Sequence, residues 1–129
     1  GATPDSKAEA RRPEPRDVLG RHLMAVAARV APGLRMHGAI FAERGEEGEE
    51  RHRYVELTAG RCYVFVSVGS PTMEALYTYL WDPSGERVAT QKEGRESIFT
   101  HCARSSGRYH FLGKAAGEAG EMRSAIFVR

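Results

Sequence analysis

No run of apolar residues in this chain approaches the roughly 18 that a bilayer-spanning helix needs, so no membrane span is expected. Charge of one sign is also lacking. Lys and Arg number 19 against 17 Asp and Glu, and a net charge of +2 creates no concentrated basic field, so nucleic acid is discounted as a partner. Aspartate is scarce: Asp5, Asp17 and Asp82 are the whole supply. With no Gly-x-Ser-x-Gly elbow either, a serine nucleophile has no partners in view. Five histidines are present (His22, His37, His52, His101, His110), none at a His-x-x-x-His spacing with an attendant carboxylate. His101 and His110, on strands that could be neighbours, are the one pair weighed for a metal, and the bland reading of exposed or structural side chains is preferred. No catalytic residue, metal or cofactor is therefore assigned, and the chain is read as a non-enzyme.

Cysteine is limited to Cys62 and Cys102, both in strand-like text. Paired, they would close a loop that stabilises the fold by about 4 kcal/mol in an oxidising compartment. The alternative is two buried free thiols, and the disulfide is the reading preferred for an exported domain. The chain begins Gly1-Ala2-Thr3-Pro4, as a trimmed or mature form would, so the lack of a leader carries no information.

What the chain does contain is one domain's worth of ordinary globular text, 129 residues with 41% hydrophobic and 28% charged side chains. Residues 1–16 hold Pro4, Pro13 and Pro15 among charged residues and read as a flexible tether. From Asp17, a plausible N-cap, apolar residues recur at helical steps (Leu19, Leu23, Val26, Val30) until Pro32-Gly33, which predicts an amphipathic helix over 17–31. Strands then follow. The stretch Arg61–Gly69 is the central one, with Cys62, Val64, Val66 and Val68 on one face and Tyr63, Phe65 and Ser67 on the other. Apolar on both sides, it should be covered on both sides.

Other strands are expected at Leu34–Ile40, Tyr54–Leu57, Ala75–Trp81, Glu86–Thr90, Ser97–Cys102, Arg108–Lys114 and Met122–Val128. Glu43–Arg53 reads as a solvated charged connection whose five Glu lack the oxygen spacing of a calcium loop, and Ala115–Gly120 as a small-residue loop. Asp82-Pro83-Ser84-Gly85 has the residue preferences of a type I turn. Short strands at roughly ten-residue spacing imply an antiparallel, jelly-roll-like β-sandwich of about eight strands with one N-terminal helix, a single domain over 17–129.

Three segments in order, Leu57-Thr-Ala-Gly-Arg-Cys-Tyr-Val-Phe, Leu80-Trp-Asp-Pro-Ser-Gly-Glu-Arg-Val-Ala and Ser106-Gly-Arg-Tyr-His-Phe, resemble the bacterial pre-peptidase C-terminal domains over about residues 34–129. The resemblance implies a secreted or periplasmic sandwich that is not catalytic and accompanies an enzyme or surface protein. The helix, the cysteine pair and Tyr77, where an acidic residue is common in the family, depart from the pattern, so no family-wide ligand or calcium role is carried over.

Tyr77, Tyr79 and Trp81 share one strand face at two-residue spacing. A row of rings is a platform for stacking on sugars or gripping a partner. It is equally an apolar dock for the helix, and internal packing of that kind is the reading preferred. The function expected is a non-catalytic extracytoplasmic module for protein or cell-surface interaction, with a protein or glycan partner at the cell envelope. Its alternatives are a carbohydrate-binding module that uses the aromatic face and a purely structural accessory domain. The oligomeric state is not legible.

Overall fold

The computed structural model describes residues 17–46 and 48–129; the expected tether, 1–16, lies outside the described residues. Helix α1 (Val18–Val30) precedes the strands β1 (Arg35–Met36), β2 (Phe41–Gly45), β3 (Glu50–Leu57), β4 (Cys62–Gly69), β5 (Met73–Trp81), β6 (Arg87–Gln91), β7 (Glu96–Cys102), β8 (Gly107–Gly117) and β9 (Gly120–Val128). They form two antiparallel sheets. The five-stranded sheet has the order β1-β9-β4-β7, with β2 also paired to β9, and the four-stranded sheet has the order β3-β8-β5-β6. The protein is an antiparallel β-sandwich with a helix near its N-terminus, as the strand spacing predicts.

Strand β4 lies between β9 and β7, and its two apolar faces have different partners. Tyr63 and Phe65 point between the sheets, where they pack with Leu80, Tyr109, Phe111, Ile126 and Val128. Val66 and Val68 point the other way, against Leu23, Val26, Ala27 and Ala31 of the helix and its C-cap, with Leu19 and Val30 partly buried beside them. Leu23 and Val26 lose all solvent contact. Burial of such side chains stabilises the fold by about 1.5–3 kcal/mol each, which holds a helix of 13 residues that would be marginal alone. Asp17 caps it, one carboxylate oxygen accepting from the Gly20 N–H at 2.9 Å and the other from Arg123 Nε at 2.9 Å.

The helix therefore does not dock on Tyr77, Tyr79 and Trp81. It covers the outer face of the other sheet, where Val66, Val68, Ala125 and Phe127 offer a surface with no polar atom to strand. Tyr hydroxyls and a Trp N–H under a helix would each need a partner in place of water, which makes the aromatic row the poorer dock.

Two expected loops are shorter than their composition suggests. Glu43 to Gly45 belong to β2 and Glu50 to Arg53 to β3, so the charged connection shrinks to residues 46–49. β2 and β3 each lie at the edge of a sheet, where charged side chains reach solvent while the backbone keeps its ladder. Likewise β8 runs to Gly117 and β9 begins at Gly120. The first expected strand, Leu34–Ile40, is instead cut to Arg35–Met36, and the chain turns at Gly38, with φ of 84°, before β2 begins at Phe41.

Cys62 and Cys102 face each other in the β4–β7 register and form a disulfide. Both are exposed, because the outer face they share with Val64 and Val66 extends past the end of the helix. At the Asp82 turn, the Asp82 carbonyl accepts from the Gly85 N–H at 2.9 Å, and its side chain accepts from the N–H groups of Ser84 and Glu86. Gly107 packs against this turn: a Cβ there would come within 3.1 Å of Pro83 Cγ, and φ is 144°. Two residues on, the Tyr109 hydroxyl donates to the Ser105 carbonyl at 2.8 Å. The Asp-Pro turn and the Gly-x-Tyr strand thus lie against each other at Pro83 and Gly107.

Candidate binding face

Strand β5 alternates as its sequence requires. Leu76, Thr78 and Leu80 are buried between the sheets, and Tyr77, Tyr79 and Trp81 emerge half-buried on the outer face of the four-stranded sheet. Strand register then adds residues from two other strands: Trp81 lies opposite His110 of β8, and His110 lies opposite Tyr54 of β3. Each ring stacks on the next. Tyr54 and His110 are 4.8 Å apart between centroids with planes 19° apart, Trp81 and His110 are 5.1 Å and 29°, and Tyr79 and Trp81 are 5.7 Å and 22°. His52 stacks on His110 at 4.8 Å. Leu112, opposite both His52 and Tyr79, is only 3% exposed and forms an apolar floor. Tyr54, at the edge, is 55% exposed.

Cations flank the rings. Arg108 lies 4.2 Å from the Tyr54 centroid, Arg87 6.0 Å from Tyr79, and Lys92 5.6 Å from Tyr79 and 6.0 Å from Tyr77. Lys114 is opposite Tyr77 in the ladder. Such placements over ring faces are attractive through the ring quadrupole. Between Tyr54, Trp81 and the Asp82–Gly85 turn is a shallow cavity of about 520 Å³ that also contacts Arg108 and His110. Its one carboxylate is occupied: Asp82 accepts from Ser84 and Glu86, and the hydrogen bond from the Ser84 hydroxyl leads the causes that hold its pKa below the ordinary carboxylate value.

At the centre, His52 Nδ1 and His110 Nε2 are 2.6 Å apart, so one proton lies between them. Burial among the rings lowers the His110 pKa, His52 lowers it further, and the Glu50 carboxylate partly opposes both. His101, the partner considered for His110 from sequence, is instead on β7 of the other sheet, its ring 5.7 Å from Tyr109. Among the described residues no three His, Cys, Asp or Glu side chains are grouped as metal ligands.

A larger cavity of about 890 Å³ lies between the start of α1 and the β4–β5 and β6–β7 loops; most of its charges are paired, and Arg95 donates to the Pro71 carbonyl at 3.3 Å. Arg123 pairs with Asp17 and Glu121, and His22 with Glu96. The aromatic face gathers rings and cations from three strands. Three of its rings were visible in sequence as the i, i+2, i+4 row; Tyr54, His52, His110 and Arg108 required the strand register. Their own alternation, His52-x-Tyr54 and Arg108-x-His110, was the available signal.

The chain matches no protein-family model and no curated protein sequence. Among solved structures it is similar to Aeromonas hydrophila PliG, a periplasmic lysozyme inhibitor of g-type lysozyme, with 14% identity and a TM-score of 0.58 over 77% of this chain and 90% of that one. It is also similar to the pre-peptidase C-terminal domain of collagenase from Bacillus anthracis, with 12% identity and a TM-score of 0.55 over 68% of this chain and 87% of that one. The fold is that of the domain family its turn motifs resemble.

Proposed function

We propose that this chain is a non-catalytic binding module of an extracytoplasmic protein, and that it meets a protein or glycan of the cell envelope with the outer face of its four-stranded sheet. The observation that carries this reading is the stacked set Tyr54, His110, Trp81 and Tyr79, which no described element covers although helix α1 had an apolar stripe to place. Rings held in register on strands lose little entropy on contact, so a partner gains their full area. The exposed Cys62–Cys102 disulfide supports an oxidising compartment. The two similar solved structures, an inhibitor and a pre-peptidase C-terminal domain, are consistent with a module that does not itself catalyse.

The test is a glycan array together with affinity capture on envelope proteins, run with wild type and with the variants Tyr79→Ala and Trp81→Ala. Wild type is expected to bind, and each variant to lose at least about tenfold, the loss typical of an aromatic anchor costing more than 1.4 kcal/mol, with melting curves close to wild type. A blank result on every surface returns the reading to a structural accessory domain.

A further inference from the structure

We infer that the free edge of β7 is a self-association surface, on which a second copy of this chain adds its own β7 antiparallel about a two-fold axis through Thr100. The inference goes beyond the aromatic face and is independent of it. Strands β7 and β6 are each last in their sheet. At the two ends of β7 the Gly69 N–H donates to the Arg95 carbonyl at 2.7 Å and the Ala103 N–H to the Arg61 carbonyl at 2.9 Å, both continuing the register of β4 with β7. Hydrogen-bonded pairs alternate in an antiparallel ladder, so the odd-numbered residues from 95 to 103 bond to β4. The N–H and C=O groups of Ile98, Thr100 and Cys102 therefore point away from it, and no described strand receives them.

Such an edge is ordinarily blunted with charge, because open backbone groups are a template for another strand. Arg35 does so on β1, Glu43 and Arg44 on β2, Arg51 and Arg53 on β3, and Arg87 on β6. From Ser97 to Cys102, β7 has no Lys, Arg, Asp or Glu. Ile98 and Phe99 are only half-buried, Thr100 is exposed, and the disulfide to β4 holds the end of the strand in place. What selects a second copy is the order of the residues. With the axis at Thr100, Ile98 meets Cys102, Phe99 meets His101 and Glu96 meets Arg104 of the other copy, and symmetry repeats each pair. An axis at Phe99 would put Glu96 against Cys102, and one at His101 would put Arg104 against Ile98, so the Thr100 register is the one that joins opposite charges. Glu96 already lies 3.3 Å from His22 and 4.0 Å from Arg29, yet its side chain is 39% exposed and open to a further cation. The axis is perpendicular to the sheets, so the aromatic faces of the two copies look the same way.

Sedimentation velocity of the chain from about 1 µM to about 1 mM tests the inference, the range in which small interfaces associate. Expected is a concentration-dependent shift to twice the monomer mass. Thr100→Lys sets two ammonium groups against each other at the axis and should weaken association at least about tenfold, with a melting curve close to wild type. Glu96→Arg and Arg104→Glu should each weaken association, and the double reversal Glu96→Arg/Arg104→Glu should restore it. A dimer that Thr100→Lys leaves intact overturns the inference, since another surface then joins the copies. A double reversal that associates no better than the single ones overturns it as well. So does a monomer at every concentration, and loss of envelope-protein capture in Thr100→Lys would then give the edge to a strand of another protein.

Discussion

Asp17 joins two functions at one side chain, capping α1 through the Gly20 N–H and holding Arg123 of β9. Burial by itself would raise its pKa; the hydrogen bond from Arg123, that from Gly20 and the charges of Arg123 and Arg21 outweigh this and leave it below the ordinary 3.8. A carboxyl whose folded pKa is lowered contributes stability that is complete above the unfolded value and is lost as pH falls through the folded one. Asp17→Asn keeps a competent cap but removes the charge facing Arg123, a side chain only 13% exposed. It should cost about 1.5–3 kcal/mol at pH 7, and the gap between variant and wild type should close below about pH 4. A gap that stays constant in thermal melts down to pH 2 would refute the ion-pair account. His101 behaves oppositely to a paired histidine: burial lowers its pKa, Asp82 opposes and Arg104 reinforces the shift. The unfolded chain therefore takes up a proton first as pH falls through about 6.5, and stability declines there. His101→Gln should flatten that part of the profile.

At the scale of elements, the helix is the part most dependent on tertiary contact. Leu23 is fully buried against Val66, Val68, Ala125 and Phe127. Leu23→Ala should cost about 2–5 kcal/mol in denaturant unfolding, while leaving binding at the opposite sheet unchanged, because the two surfaces belong to different sheets. Were Leu23→Ala to spare stability and weaken a partner complex, the helix would be a contact surface and the assignment of the aromatic face would fall. The edge strands β2 and β3 illustrate another rule. Arg53 donates to Glu43 at 3.1 Å and lies over Phe41, so charges that read as loop text bridge the two sheets at their margin.

For the molecule as a whole, the disulfide ties β4 to β7 across a sequence separation of 40 residues. The chain-entropy model assigns such a closure about 4 kcal/mol, and for a domain of this size reduction should lower Tm by on the order of 10 °C. Unreduced protein should weigh two hydrogens less than reduced protein by mass spectrometry. Ready alkylation of Cys62 or Cys102 without reductant would contradict the bond. Because both sulfurs are on the helix-side face, reduction should weaken binding only through unfolding, so affinity measured well below Tm should persist.

The sequence by itself determined everything that depends on local pattern. Alternation in β4 and β5, the helical stripe after Asp17 and the Asp82 turn each specify their own backbone, and the predicted helix, the sandwich and the cysteine pair are all present. Charge at edge strands misled, since Glu43–Arg53 satisfies its backbone in ladders that no local signal reveals. The candidate face was half legible: Tyr77, Tyr79 and Trp81 share a strand, and period two alone places them together. Tertiary structure decided the remainder. Which of several apolar surfaces receives the helix is a competition between areas and stranded polar atoms, and the outer face of β4 and β9, Val66, Val68, Ala125 and Phe127, wins it. Whether Tyr54 and His110 join Trp81 depends on the register of β3, β8 and β5, set by hydrogen bonds between residues up to tens of positions apart, and no spacing within a single strand encodes that.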